Sequence, residues 1–265
     1  MTNERYSRQT FLGADAQRAF DTSVIAVVGL GGGGSHVVQQ LAHLGVRHLH
    51  LFDADKAELS NLNRLVGASL SDVNTATPKV EISRRMIERI DPAAEVTVHE
   101  SIWQSAASDL RGCDIIVSCV DSFVARQDLE ATARRYMIPI VDIGMDVFLS
   151  GHHPHIAGQV ILSTPGGPCM KCLGFLSNDN LRREADLYGT AGGRPQVVWA
   201  NGVLASLAVG IVVDLLTGWS GTSARGEYLH FDGNRHLVSR SPRLEYAPTV
   251  CPHFPDESVG EPVFY

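Results

Sequence analysis

The sequence predicts an α/β fold, a doubly wound, mostly parallel, Rossmann-like sheet followed by an antiparallel C-terminal extension. Three observations carry that expectation. Residues 24–44 read as strand, glycine turn and helix in immediate succession. Strand and helix patterns then alternate to residue 145, as parallel βα units do. From Asp146 onward the alternation stops and hairpin-like strand patterns take over.

The chain starts with a polar arm. Within it, Arg5-Tyr6-Ser7-Arg8-Gln9 reads in isolation as a solvated terminus, and a short helix over residues 14–20 follows. Residues 24–28 are an unbroken, mostly β-branched apolar run, as expected of a central strand buried on both faces. Gly29-Leu30-Gly31-Gly32-Gly33-Gly34 then satisfies G-x-G-x-x-G. Helical apolar spacing runs from Ser35 to Leu44, with Gly45 placed as a C-cap. Glycines permit positive φ and close approach, while the free N–H groups and dipole of a helix start favour an anion.

A second strand, residues 46–52, ends in Asp53-Ala54-Asp55, where a carboxylate is placed to bind ribose hydroxyls. A polar loop, residues 58–65, carries the cation Arg64. Pro78-Lys79-Val80 opens a helix through Ile90, because proline suits a first helical turn, and Asp91-Pro92 stops it. Strands over 95–99, 113–120 and 138–143 and a helix over 123–135 complete the alternation, the strand at 113–120 ending at Asp121.

The second half shows a strand at 156–163 and a tight turn, Pro165-Gly166-Gly167-Pro168, leading into Cys169-Met170-Lys171-Cys172. Residues 177–196 read as a polar loop and 197–216 as a long core helix. Residues 228–232 and 236–240 form a hairpin across a two-residue Gly233-Asn234 turn. Without a linker or repeat, residues 1–265 read as one integrated unit, with a nucleotide-binding half (1–145) and a second half (146–265).

At 44% hydrophobic and 19% charged over 265 residues, the chain has ample material for a core. A net charge of −7 leaves no basic footprint, which argues against nucleic-acid binding. The apolar run closest to membrane length, 203–216, reads as core helix, so no membrane role is expected. The polar first ten residues lack the apolar segment of a signal peptide. Five cysteines, two of them in Cys-x-x-Cys, point to a reducing compartment with metal or thiol chemistry, and the expected location is cytoplasmic.

Gly29, Asp53, Asp55 and Asp121 all fall at the carboxyl ends of strands, where open α/β sheets bind ligands. Arg64 and Lys79 add two cations. Two cations and a carboxylate around a phosphate cradle suit a triphosphate with Mg²⁺, because the cations neutralise charge developing as a phosphoryl bond breaks and the carboxylate holds the metal. An NAD(P)-dependent oxidoreductase has no use for that set. The helix after the cradle also lacks the Lys-Ser/Thr of a Walker motif.

These residues resemble those of the MoeB/ThiF/HesA family, the adenylating enzymes that activate ubiquitin-like and sulfur-carrier proteins. The resemblance covers nearly the whole chain. It rests on R-Y-S-R-Q at 5–9, G-L-G-G-G-G at 29–34, D-A-D at 53–55 and S-N-L-N-R at 60–64. It continues through P-K-V-E at 78–81, C-V-D-S at 119–122 and C-x-x-C at 169–172. The resemblance implies ATP and Mg²⁺ as cofactors and a small carrier protein ending in Gly-Gly as partner. It also implies adenylation of that carrier's C-terminal carboxylate, with release of pyrophosphate. By the same resemblance the cradle glycines Gly29, Gly31, Gly32 and Gly34 hold the nucleotide and Asp53 or Asp55 binds ribose. Asn61, Arg64 and Lys79 contact the nucleotide and its phosphates, Asp121 holds Mg²⁺, and Arg8 reaches the ATP of a homodimer partner.

Two departures from the family pattern matter. Relatives commonly complete a structural Zn²⁺ site with a second Cys-x-x-Cys near the C-terminus; here the segment reads Cys251-Pro252-His253-Phe254. The expected zinc knuckle is therefore Cys169, Cys172, Cys251 and His253, against the alternative of a degenerate, metal-free site. His152, His153 and His155 read as a surface loop. Many relatives also place a nucleophilic cysteine before the long core helix, yet residues 173–250 contain none. Ser177 and Thr190 are poor substitutes without a base, and Cys113 and Cys119 are expected to be buried. The enzyme is thus expected to stop at the adenylate and pass it to an external thiol acceptor. The competing reading is an idle nucleotide-binding scaffold that recruits a conjugation partner.

Overall fold

A computed structural model describes residues 4–177, 180–181, 195–222 and 226–254. Its strands are β1 (Val24–Val28), β2 (His48–Phe52), β3 (Glu95–His99), β4 (Ile115–Ser118), β5 (Ile140–Ser150), β6 (His153–Ser163), β7 (Gly226–Asp232) and β8 (Leu237–Arg240). Among the described residues these form one eight-stranded sheet in the order β3-β2-β1-β4-β5-β6-β7-β8. The first five are parallel and the last three antiparallel. Chain order reverses between β1 and β4, so the sheet has its switch point there, flanked by the carboxyl end of β1.

The helices are α1 (Ala16–Thr22), α2 (Gly32–Leu44), α3 (Leu70–Asn74), α4 (Lys79–Ile90), α5 (Phe123–Arg135) and α6 (Val198–Thr217). Strand period 2 sorts the core into two layers. Ile25 and Val27 of β1 pack beneath α2, α4 and α6. Ala26 and Val28 face the other way, against α5 and a 3₁₀ segment, Trp103–Gly112. α6 is apolar on nearly every side and buries Ala200, Leu204, Ala205, Ala208, Val209, Val212 and Val213, in keeping with a core helix. A third cluster, including Ile161, Met170, Leu173 and Tyr228, lies under the Cys-x-x-Cys segment.

α5 carries a buried polar face. Arg126, Glu130 and Arg134, spaced four apart, are 5%, 1% and 4% exposed. Buried charges of this kind persist only when paired and hydrogen-bonded. Arg126 Nε donates to both Asp142 oxygens at 3.1 Å, and Ser118 donates to Asp142 at 2.7 Å. Glu130 accepts from the Ser163 hydroxyl at 2.5 Å and from the Met170 N–H at 2.8 Å. Arg134 donates to Ser163 and to the Gly167 and Pro168 carbonyls. One helix thereby fixes β4, β5, β6 and the cysteine-bearing loop.

Several expectations are corrected. The arm is not a loose solvated terminus: Glu4–Leu12 is a 3₁₀ segment. Tyr6 is buried there, and Arg5 donates to the Ala42 carbonyl at 3.2 Å. The following helix starts two residues later than expected, at Ala16. α2 begins at Gly32 rather than Ser35, because its first turn is made of the cradle glycines. β5 runs on to Ser150 and pairs with β6 along its full length, so His153 and His155 lie on a strand rather than in a loop. The β7–β8 connection has four residues, Gly233 to His236, with His236 at φ 53°, because Asp232 pairs with Leu237. The loop at 177–196 is described only in part, and Thr190 lies outside the described residues.

Candidate active site and metal centre

The carboxyl ends of β1, β2 and β4 and the middle of β5 surround a cavity of about 650 Å³. Gly29, Gly31, Gly32, Asp53, Asp55, Asn61, Arg64, Lys79 and Asp121, nine of the residues expected from sequence, line it.

The cradle works because side chains are missing. Gly29 has φ +88°, and a Cβ there would stand 2.7 Å from the Cys119 carbonyl oxygen at the end of β4. A Cβ on Gly34 would collide with the Gly29 carbonyl oxygen, so these two glycines let the turn close onto the helix. Gly31, before the first turn of α2, has open space where a Cβ would be, and the backbone there is accessible to a ligand.

Asp53 braces the cradle. One carboxylate oxygen accepts from the Leu30 N–H at 2.6 Å and the other from the Asp55 N–H at 2.8 Å. Burial pushes its pKa up, while the Lys79 ammonium and the two N–H groups oppose that shift. Asp55 is much more open, and its carboxylate takes Lys79 Nζ at 2.7 Å. Lys79 starts α4, where its N–H bonds to the Asp55 carbonyl, so one short β2–α4 clasp aims the ammonium at the cavity. Asn61 caps its own turn by accepting from the Glu58 N–H at 3.1 Å. Arg64 packs over Gly32, held by the Ser60 carbonyl at 2.7 Å. Asp121 is exposed on the cavity wall, immediately before Ser122, the N-cap of α5.

Arg8 is elsewhere. Its 3₁₀ segment docks at the far end of α2, where Gln9 donates to the Leu44 carbonyl at 3.0 Å. α2 has 13 residues, about 20 Å at 1.5 Å each. Arg8, exposed there, is not among the lining residues of its own chain's cavity.

Sequence reasoning missed Asn201, Arg126 and Gln159, which also line the cavity. Asn201 is a buried polar residue in the apolar α6, and its amide packs against Gly32. The one available signal was an isolated polar residue within an apolar helix. A second cavity of about 860 Å³ adjoins the first and shares Glu58, Arg64 and Gln196 with it. Ile156, Val147, Val197 and the half-exposed Trp199 give it apolar walls.

Cys113 is buried as expected, its thiol pushed up to about 12 by burial. Cys119 departs from expectation: it is half-buried and lines the cavity, although burial also pushes its thiol strongly upward. Ser177 is occupied as a cap, its hydroxyl accepting from the Asn180 N–H at 3.1 Å.

The second constellation lies beyond α5. Cys169, Cys172, Cys251 and His253 bring their ligand atoms within 4.8 Å of one another. Sγ of Cys169 is 3.6 Å from that of Cys172 and 3.3 Å from His253 Nδ1. Cys172 Sγ lies 3.5 Å from Cys251 Sγ and 3.4 Å from His253 Nδ1. A tetrahedron with bonds of about 2.0–2.3 Å places its corners about 3.3–3.8 Å apart, and these four separations match the spacing a Zn²⁺ ion needs. Phe254, in the usual fourth-ligand place, instead lies under the Arg134 guanidinium at 5.5 Å.

Cradle, switch point and strand-end charges together define a doubly wound α/β protein with a built anion site. The ThiF family model matches residues 6–253, and the chain belongs to the ThiF family. It is 32% identical over 235 residues to the molybdopterin-synthase adenylyltransferase of Escherichia coli K12, covering 86% of this chain and 87% of that one. It is 28% identical over 236 residues to the sulfur carrier protein ThiS adenylyltransferase of the same organism, covering 86% of each. Among solved structures, E. coli MccB with ATP superposes with a TM-score of 0.74 at 22% identity, over 91% of this chain and 71% of that one.

Proposed function

We propose that the chain uses ATP and Mg²⁺ to adenylate the C-terminal carboxylate of a small ubiquitin-like or sulfur-carrier protein ending in Gly-Gly. The observation that carries this reading is the convergence of cradle, Arg64, Lys79 and Asp121 on one cavity that opens into an apolar-walled neighbour. The cradle takes phosphate, and the adjoining cavity offers a path for a polypeptide tail. Named adenylyltransferases among the relatives support the same chemistry.

In this reading a carboxylate oxygen attacks the α-phosphorus, the Pα–O bond to the β-phosphate breaks, and pyrophosphate leaves. Lys79 and Arg64 neutralise the charge that develops on the phosphates. Lys79 is held by Asp55 until nucleotide arrives, and Asp55, the more open of the two acids, is the ribose partner, while Asp53 keeps the cradle in shape. Asp121 would hold Mg²⁺, which would supply charge neutralisation at the phosphates. Zn²⁺, held by Cys169, Cys172, Cys251 and His253, supplies folding free energy rather than chemistry. Residues 1–265 act as one unit.

The test is carrier-dependent exchange of labelled pyrophosphate into ATP. Exchange is expected without any reductant-labile carrier–enzyme adduct on a non-reducing gel. Burial disfavours the thiolate forms of Cys113 and Cys119, and the acceptor in this reading is an external thiol. Absence of exchange with every Gly-Gly carrier tried overturns the reading; an adduct lost in Cys119→Ala overturns the external acceptor.

Arg8 is proposed to complete the site of a homodimer partner, since it stands a helix length from its own cradle. Mixed Arg8→Ala and Asp121→Ala subunits are expected to recover up to about one quarter of wild-type exchange, because a mixed dimer retains one complete site and random pairing makes half the dimers mixed. No recovery despite demonstrated subunit exchange rules the trans contact out.

A further inference from the structure

The β5 side of the cavity holds a charged group that the nucleotide roles leave unused. Arg126 is only 5% exposed, yet it lines the cavity. Its Nε is taken by Asp142 and its Nη2 donates to the Ile143 carbonyl at 3.3 Å, but Nη1 has no hydrogen-bond partner among the described residues. Phe123 and Phe175 rings each lie 5.8 Å from the guanidinium carbon and confine it. Gln159 lines the same corner, its side-chain amide beside Gly144. Gly144 makes room for both: a Cβ there would stand 2.6 Å from Arg126 Nη2 and collide with the Gln159 amide.

The position is informative. Arg126 holds the carbonyl of Ile143, whose side chain packs 2.7 Å from where a Gly33 Cβ would be. It therefore stands one β5 residue from the cradle, across the switch point from Asp53, Asp55 and Lys79 at the β2 side. Nη1 is not one of the enclosed polar atoms left without a partner among the described residues, so its N–H reaches the cavity, where a ligand oxygen can accept it.

We propose that Arg126, assisted by Gln159, anchors the acyl end of the substrate, a reading that rests on the adenylation proposed above. Nη1 donates to one oxygen of the terminal carboxylate while the other oxygen attacks the α-phosphorus. The new O–Pα bond forms as the bond to the pyrophosphate bridging oxygen breaks, and the leaving pyrophosphate takes that electron pair. No proton moves. The oxygen on Nη1 becomes the carbonyl oxygen of the mixed anhydride. Asp142 balances the guanidinium charge throughout.

The test compares AMP with N-acetylglycyl sulfamoyladenosine, a stable mimic of the acyl-adenylate, by calorimetry on the full chain. Wild type is expected to bind the mimic at least about tenfold more tightly than AMP, the range of one charge-assisted hydrogen bond. Arg126→Lys keeps a charge opposite Asp142 but loses the fork; it is expected to erase most of that preference and leave AMP affinity within about threefold. Should Arg126→Lys fail to fold, the Arg126→Met/Asp142→Asn double variant removes both charges together, with the same expectation. A retained preference overturns the proposal, as does an equal loss of affinity for both ligands, which would mark Arg126 as scaffold. Wild type that binds AMP without preferring the mimic also overturns it, whereas wild type that binds neither overturns the adenylating reading itself.

Discussion

Asp121→Ala is expected to lower carrier-dependent pyrophosphate exchange by about 100-fold or more, the loss typical of removing one preorganised electrostatic group from a transition state. Its effect on stability is expected to be small, because Asp121 is exposed at a strand end. Asp53→Ala provides the contrast. Asp53 is buried and holds the Leu30 and Asp55 N–H groups, so its removal leaves backbone donors unmade and the cradle without its brace. That variant is expected to lose about 2 kcal/mol or more of stability along with activity. Thermal melts beside exchange assays separate the two cases. A folded Asp121→Ala enzyme with wild-type exchange rules out its proposed role with Mg²⁺.

The largest effect on stability is expected at the metal centre. Elemental analysis of protein purified without chelator should find one zinc per chain, and Cys172→Ser should lose it. The loss of stability is expected to be on the order of several kcal/mol, because metal binding at such a site is folding free energy. The effect should spread beyond the knuckle. Glu130 accepts from the Met170 N–H, and Arg134 holds Gly167 and Pro168, so a loosened loop strips partners from charges buried in α5. Stable, zinc-free wild-type protein favours the degenerate-site alternative.

Local signals made much of the fold legible. β1, β3 and α5 run over the residues expected from sequence, because each combines an apolar pattern with a clear stop: Gly29 after β1, Ser122 capping α5. The candidate site was legible for a related reason. Residues that bind at strand ends must follow their strands directly, so Gly29, Asp53, Asp55 and Asp121 are marked by sequence position alone.

What failed was long-range. The expected two-residue turn at Gly233 ignored the register that pairs Asp232 with Leu237, and register belongs to the whole sheet. The solvated reading of the arm could not see Ala42 and Asp91, distant in sequence, that receive Arg5.

By itself the sequence determined the doubly wound class, the glycine cradle and the charged residues at strand ends and helix starts, since each is written as a residue type at a fixed offset from a strand or a helix start. Only the tertiary structure decided that Arg126 is buried on the cavity wall with Nη1 unpaired among the described residues, that Arg8 lies a helix away from its own cradle, and that His253 closes on Cys169 and Cys172. Those facts depend on which distant segments pack together, and no local propensity or spacing encodes that.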